Sequence, residues 1–236
     1  CLMKKIGCVC LHGFTGAPTE VEPLACYLRE RTDWAISVPV LPGHGEGADL
    51  GSVAYTDWVE CAEQAVHDMM ARCDEVYVVG FSMGGILACR TASVYPVKKL
   101  VLLSAAAKYI NGKQLVRDIG GLVKDSFRGS VRDNELYMRY KNKIVQTPLR
   151  AAREFRALVA ASRGSFRQIS IPVFIAQGEL DAIVPPSSAR YLYDAIPSRH
   201  KQLYIEKNAK HLICHCENNL ALFEEVEEFL RRDHTF

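Results

Sequence analysis

A glycine-flanked serine is the first group in this sequence that could do chemistry. Residues 80–85 read Gly-Phe-Ser-Met-Gly-Gly and follow an apolar run at 76–79. The pattern Gly-x-Ser-x-Gly between a strand and a helix is typical of a nucleophile elbow, a strained turn whose small neighbours leave the serine hydroxyl accessible. A chance match is the alternative, but a helix-compatible run at 86–90 follows the motif. We therefore predict that Ser82 is a nucleophile.

A serine nucleophile needs an acid that orients its base. Behind such an elbow the acid and then the base follow the serine along the chain, each after a later strand. The apolar run at 172–177 predicts a strand, and the turn-rich loop 178–186 comes directly after it. Asp181 is the favoured acid in this loop. Glu179 is the alternative, but it comes earlier, where we expect it to face solvent.

The base is expected after one further strand, which the pattern at 201–206 supplies. His211 follows that strand at the position where the base belongs. His215, four residues later, is the competing histidine. His44 comes too early in the chain, so we expect it to be structural or to lie at the rim of the pocket.

Two backbone N–H groups should stabilise the negative charge that forms when the serine attacks. One is expected on Met83, the residue after the nucleophile, and the other in the loop after an early strand. The strand predicted at 6–11 is followed by His12, Gly13 and Phe14. The N–H of Phe14 is therefore the second predicted donor.

Taken together, these motifs resemble the α/β-hydrolases, and in particular the small bacterial carboxylesterases and monoacylglycerol lipases. The markers are HGFTG at 12–16, LPGHG at 41–45, GFSMGG at 80–85, Asp181 with Pro185, and His211. The resemblance covers nearly the whole chain. It implies hydrolysis of carboxylic esters without a cofactor.

The same resemblance implies a triad of Ser82, His211 and Asp181, with oxyanion donors at Phe14 and Met83. The sequence departs from the family pattern at one place. Family members usually carry extra residues before the first strand, often a strand or hairpin, and this sequence has almost none there. We expect this to shorten one edge of the sheet and to leave the triad untouched.

Length and composition indicate an ordinary globular protein. The 236 residues fit one α/β domain with an insertion, and 49% apolar with 24% charged residues are usual values. The net charge of +2 gives no indication of nucleic-acid binding. No apolar run approaches the ~18 residues that a membrane-spanning helix needs. We expect a small-molecule ester as partner, no nucleic acid and no stable membrane insertion.

The nine cysteines suit a reducing compartment rather than a disulfide framework. Their number is odd, and Cys8 and Cys10 alternate on one face of a predicted strand, where free thiols pack as small apolar groups. We therefore expect a cytoplasmic protein. The run from His211 to Cys216 has residue types that suit zinc, but it lacks a second ligand cluster, so no metal is expected.

Strand and helix patterns alternate along the chain, which predicts a mostly parallel sheet covered by helices on both faces. This is an α/β class, and the resemblance makes it an α/β-hydrolase fold with a small helical cap. The predicted strands are 6–11, 35–40, 75–80, 99–104, 172–177 and 201–206. The predicted helices between them are 20–31, 57–72, 84–93, 187–195 and 217–232.

Residues 107–168 interrupt this alternation, so we divide the chain into a hydrolase core of 1–106 and 169–236 and a cap insertion. Three helices are predicted in the cap, near 112–127, 131–145 and 148–163. The segment holds fourteen Lys or Arg against five Asp or Glu, a net charge of about +9. This charge fits a solvated basic helix surface, or alternatively a lid that meets an anionic surface or substrate.

Apolar residues recur at helical spacing in the last cap helix, at Leu149, Ala152, Phe155 and Val159. They could line a pocket roof, with Phe155 and Val159 as the pocket residues, or merely anchor the helix on the core. A cap of this size suits short- to medium-chain acyl esters or monoglycerides. The alternatives are acyl transfer or C–C bond hydrolysis by the same triad, and a binding protein without catalysis.

Overall fold

The computed structural model describes residues 4–108 and 147–233, in which strands and helices alternate along the chain. The strands are β1 (Ile6–Leu11), β2 (Ala35–Ser37), β3 (Glu75–Phe81), β4 (Lys99–Leu103), β5 (Val173–Gly178) and β6 (Lys201–Glu206). The α-helices are α1 (Glu22–Arg31), α2 (Tyr55–Met70), α3 (Met83–Val94), α4 (Leu149–Phe166), α5 (Ser187–Ala195) and α6 (Asn219–Arg231).

The strands form one six-stranded sheet in the order β2-β1-β3-β4-β5-β6, and every neighbouring pair is parallel. The predicted parallel sheet is therefore confirmed. Successive strands are added in opposite directions on the two sides of β1, because β2 lies on one side of it and β3 on the other. In open parallel sheets, ligands bind in the crevice that opens outside the carboxyl ends of the strands at such a switch point. The candidate site should thus lie where β1 and β3 end.

Helices cover both faces of the sheet, and the central strands supply apolar residues to each. In β4, Leu100 and Leu102 belong to the core on one face, whereas Val101 and Leu103 belong to the core on the other. This follows from the alternation of side chains along a strand. Helices α2, α3, α4 and α5 pack on the first face, and α1 and α6 on the second.

Two element boundaries differ from the predicted ones for reasons that proline explains. Strand β2 ends at Ser37, three residues before the predicted end. Pro39 has no N–H to offer the sheet ladder. Helix α1 begins at Glu22 rather than at residue 20, with Pro23 in its first turn. A short 3-10 turn, Pro18–Glu20, precedes it.

Helix α4 occupies the position of the third predicted cap helix and extends three residues beyond the predicted end at 163. It packs against α2 and α3 through a buried face that includes Leu158 and Phe166. Leu149 does not belong to that face, because 75% of its surface is exposed. The helices predicted at 112–127 and 131–145 lie outside the described residues. No helix within 4–108 or 147–233 is long and apolar enough to cross a membrane.

Candidate active site

Ser82 lies in the turn between β3 and α3, and its backbone is strained there. Its φ is 53° and its ψ is −114°, a region that residues with a side chain rarely adopt. The strand beside it holds this turn in place: Ser82 N–H donates to Leu103 O, and Ala106 N–H donates to Ser82 O. The strained backbone and the strand-to-helix context are those of a nucleophile elbow.

The two glycines of the motif allow the elbow to pack against its neighbours. A Cβ on Gly80 would overlap the backbone of Gly84, one turn into α3. A Cβ on Gly84 would overlap the carbonyl oxygens of Leu11 and His12 at the end of β1. The absence of both side chains therefore lets the start of α3 approach the loop that follows β1.

The structure brings Ser82, His211 and Asp181 together, although they are far apart in sequence. His211 Nε2 lies 3.2 Å from Ser82 Oγ, and His211 Nδ1 lies 2.8 Å from Asp181 Oδ2. His211 is fully buried, and Ser82 and Asp181 are each 4% exposed. A carboxylate oxygen only accepts, so Nδ1 carries the proton and Nε2 faces the serine hydroxyl as an acceptor. This arrangement can remove the hydroxyl proton as the serine attacks.

Asp181 is fixed by several donors in the loop after β5. The backbone N–H groups of Ile183 and Val184 each donate to its Oδ1 at 2.9 Å. Oδ2, which accepts from His211, also accepts from Gln177 Nε2 at 2.8 Å. Glu179, the alternative acid, is exposed to solvent.

Gln177 is a site residue that the sequence analysis missed. Its side-chain amide is fully buried and also donates to Val184 O at 3.0 Å, so it ties the loop to the strand. The available signal was a polar residue in an otherwise apolar strand, four positions before Asp181. Burying an unpaired amide donor is costly, and these acceptors satisfy Gln177 Nε2, whereas its Oε1 has no hydrogen-bond partner among the described residues.

The two predicted oxyanion donors lie on segments that the sheet brings side by side. Met83 is the first residue of α3, so its N–H belongs to the first turn, where no intrahelical acceptor exists. Phe14 lies in the loop after β1, which Gly84 contacts closely. Since β1 and β3 are neighbours in the sheet, both segments end at the same edge. This geometry is compatible with the predicted pair of donors.

His12 is a structural member of the same loop. Leu41 N–H donates to its Nε2 at 3.0 Å, and its Nδ1 lies 3.0 Å from Gly13 O. A carbonyl oxygen only accepts, so Nδ1 carries the proton and the ring is neutral. The pKa of His12 is lowered to about 4, chiefly by burial and to a smaller extent by the nearby His44, against the opposing effect of the bond to Gly13 O.

His215 lies apart from the triad. Its Nε2 donates to the backbone oxygen of Thr19 at 2.8 Å, which ties the loop carrying His211 to the turn before α1.

Cys214 belongs to the run that has residue types suited to zinc. It is buried, and burial raises the pKa of its thiol well above the usual range. Among residues 4–108 and 147–233, no group of three or more metal-ligating side chains could hold an ion.

Both predicted pocket residues are buried, and one of them touches the oxyanion loop. The Phe155 ring stacks on the Phe14 ring with centroids 4.9 Å apart and planes 12° apart. Phe14 also meets His44 and Trp58 edge-on. Val159 is buried in the core on this side of the sheet. The described part of α4 is therefore anchored on the core, and Phe155 also forms part of an aromatic cluster beside the site.

Comparison with known proteins identifies the family and supports this description of the fold. A family model described as serine aminopeptidase, S33, matches residues 4–218. A thermostable monoacylglycerol lipase from a Bacillus species is 26% identical, over 96% of this chain and 91% of that protein. A carboxylesterase from Bacillus subtilis is 23% identical, over 94% of this chain and 91% of that protein.

A solved structure shows the same fold. It comes from a study of LipS and LipT, two metagenome-derived lipolytic enzymes, and superposes with a TM-score of 0.80 at 22% sequence identity. The match covers 98% of this chain and 95% of the other. The sheet described above thus has the α/β-hydrolase architecture that the sequence motifs predict.

Proposed function

This chain belongs to the α/β-hydrolase family described as serine aminopeptidase, S33, and we propose that it cleaves carboxylic esters with Ser82, His211 and Asp181 as its catalytic triad. It is a serine hydrolase whose similar relatives are named as a lipase and an esterase. One observation carries the proposed triad: the continuous hydrogen-bonded path from Ser82 Oγ through the His211 ring to Asp181 Oδ2.

The first half of the reaction forms an acyl-enzyme. Ser82 Oγ attacks the ester carbonyl carbon while His211 Nε2 takes the hydroxyl proton. Asp181 holds the Nδ1–H tautomer and stabilises the imidazolium that forms. The carbonyl oxygen, now negatively charged, accepts from the N–H groups of Phe14 and Met83. His211 then protonates the alkoxide leaving group, which departs as the alcohol.

Water completes the cycle. It enters where the alcohol left, gives a proton to His211 Nε2 and attacks the acyl carbon. The second tetrahedral intermediate uses the same two N–H groups and collapses to the free acid as His211 returns its proton to Ser82 Oγ. No step requires a cofactor, because the imidazole supplies and accepts every proton.

We propose short- to medium-chain acyl esters, including monoglycerides, as the substrates. The relatives named monoacylglycerol lipase and carboxylesterase support this class. The aromatic cluster of Phe14 and Phe155 offers an apolar wall next to the oxyanion loop. The insertion 107–168 is proposed as a cap that roofs a pocket for a single acyl chain.

The family description makes an aminopeptidase the second candidate. Such an enzyme needs a carboxylate to bind the free ammonium group of its substrate. Two buried carboxylates of the described residues lie near the triad and the oxyanion loop, Asp181 and Glu20, and both accept backbone N–H groups. Both carboxylates are therefore engaged within the protein, and amino-acid anilides test the peptidase alternative directly. Acyl transfer and C–C bond hydrolysis would use the same triad, and product analysis separates them from simple hydrolysis.

The decisive experiment combines covalent labelling with a substrate panel. A fluorophosphonate should label the wild type at Ser82 alone, as located by peptide mass spectrometry. p-Nitrophenyl esters of increasing chain length, monoacylglycerols and amino-acid p-nitroanilides then report the substrate class. Ser82→Ala should lose labelling and hydrolysis, whereas Ser93→Ala, in the helix that follows the elbow, should retain both. Anilide hydrolysis without ester hydrolysis would replace the esterase by the peptidase.

A further inference from the structure

Glu20 is a buried acid whose carboxylate lies against the loop that follows β1. It ends the 3-10 turn Pro18–Glu20 and is only 7% exposed. Its Oε2 accepts the backbone N–H of Gly13 at 2.8 Å. Burying a carboxylate costs free energy unless hydrogen bonds compensate, so this contact needs a structural or functional reason.

The contact between Glu20 and Gly13 N–H matters because the next peptide group contains Phe14 N–H, the proposed oxyanion donor. Gly13 links two peptide planes, and glycine leaves the rotation between them nearly unrestricted. Glu20 holds the first plane, which contains Gly13 N–H. The second plane contains Gly13 O and Phe14 N–H, and it is held where Gly13 O accepts from His12 Nδ1 at 3.0 Å and Gly16 N at 3.3 Å. Because a peptide group is planar, fixing Gly13 O also fixes the direction of Phe14 N–H.

The loop closes tightly around the carboxylate. A Cβ on Gly16 would overlap the carboxylate of Glu20, and a Cβ on Gly13 would lie 3.0 Å from its Oε2 and 3.1 Å from the Phe81 ring. Only glycine fits at these two positions without a shift of the carboxylate, so the loop packs directly on Glu20. The turn that carries Glu20 is itself tied to the loop of His211, through the bond from His215 to Thr19 O.

We propose that Glu20 is a positioning residue for the oxyanion hole: it anchors the peptide plane of Gly13 N–H and packs against Gly16, whose N–H helps to hold Gly13 O, and it thereby keeps Phe14 N–H pointed at the developing oxyanion. This inference rests on the proposed function, because Phe14 is a donor only in that reaction. Glu20 does not touch the substrate. It acts through the backbone of Gly13, so its loss should weaken binding of the transition state more than binding of the ester.

Three substitutions separate this role from a general contribution to stability. Glu20→Gln keeps an acceptor oxygen at the same reach and should lower kcat by less than about fivefold. Glu20→Asp retracts the carboxylate by one methylene, and Glu20→Leu removes the acceptor. Each of these two should lower kcat by about 10²-fold, the size of a lost oxyanion donor, with KM changed by less than about threefold. Glu22→Leu is the matched control. Glu22 lies two residues after Glu20 and forms an ion pair with Arg29, so this variant should behave as wild type.

A second readout keeps the test independent of substrate choice. A trifluoromethyl ketone forms a tetrahedral adduct with the serine, and its affinity should fall across the variants in parallel with kcat/KM. All rates are measured well below each variant's melting temperature. If Glu20→Leu and Glu20→Asp are folded and keep the wild-type kcat, or lose kcat while binding the ketone normally, the positioning role is wrong. A wild type that neither hydrolyses esters nor is labelled at Ser82 would overturn the proposed function and this inference with it.

Discussion

His12 and His44 each accept a hydrogen bond from the backbone of the loop that carries the other. Leu41 N–H, from the loop of His44, donates to Nε2 of His12, and Thr15 N–H, from the loop of His12, donates to Nε2 of His44. The two rings meet edge-on with centroids 5.1 Å apart. Nε2 of each ring must be unprotonated to accept its hydrogen bond. The contact between the two loops therefore requires both imidazoles to be uncharged.

The first prediction concerns acid stability. The pKa of His12 is about 4 in the folded chain and near its ordinary value of ~6.5 in the unfolded chain. Between these pH values the unfolded chain binds more protons, so the free energy of unfolding falls as the pH drops from ~6.5 towards 4. The linked loss is about 3 kcal/mol. Urea unfolding at pH 7 and pH 4.5 measures most of it, about 2 kcal/mol, because the remainder is lost below pH 4.5.

His12→Gln is the matched variant for this measurement, because its amide can donate to Gly13 O and accept from Leu41 N–H without titrating. Other groups contribute equally to the acid sensitivity of both proteins, so the difference between them isolates His12. Equal pH dependence in wild type and variant would show that His12 is not the responsible group.

The second prediction separates the two histidines of the C-terminal loop. His211→Ala should reduce kcat by at least about 10⁴-fold, because it removes the imidazole whose Nε2 lies 3.2 Å from Ser82 Oγ. His215→Ala loses only the bond to Thr19 O and should keep kcat within about tenfold. Steady-state kinetics with a p-nitrophenyl ester measures both. An inactive His215→Ala beside an active His211→Ala would require the triad to be redrawn.

The third prediction concerns Gln177. Gln177→Leu removes one of the donors to Asp181 Oδ2 and leaves the backbone donors in place, so kcat should fall about tenfold. Asp181→Asn should be far more severe, on the order of 10⁴-fold, because the amide no longer selects the correct imidazole tautomer. Glu179→Gln should leave kcat unchanged, since that side chain is exposed. A full loss in Glu179→Gln would identify it as the acid instead.

The fourth prediction concerns Phe155, whose ring stacks on Phe14. Because this ring is buried, Phe155→Ala should lower the free energy of unfolding by about 3 kcal/mol and also change the preference for acyl chain length. Phe155→Leu keeps most of the buried volume and should isolate the effect on chain length. Chemical denaturation and the ester panel measure the two effects separately. Unchanged chain-length preference in both variants would limit Phe155 to a packing role.

The site residues that could be predicted from the sequence are those that come shortly after the end of a strand. Ser82, Asp181 and His211 each come after a recognisable apolar run, and parallel strands place their carboxyl ends at one edge of the sheet. Glu20 and Gln177 were missed because their contacts depend on side-chain geometry between segments that no local pattern connects. The predicted ends of elements were wrong where a single residue changed the backbone, as Pro39 did after β2.

Strand β6 lies at the edge of the sheet, pairs only with β5 among the described strands, and delivers His211 to the site. Synthesis on the ribosome proceeds from the N-terminus, so β6 and the loop of His211 are made after the other described strands. The proposed nucleophile is therefore synthesised well before its base. A nascent or truncated chain that lacks β6 would hold an inert serine, and hydrolysis would begin only once the last strand has docked.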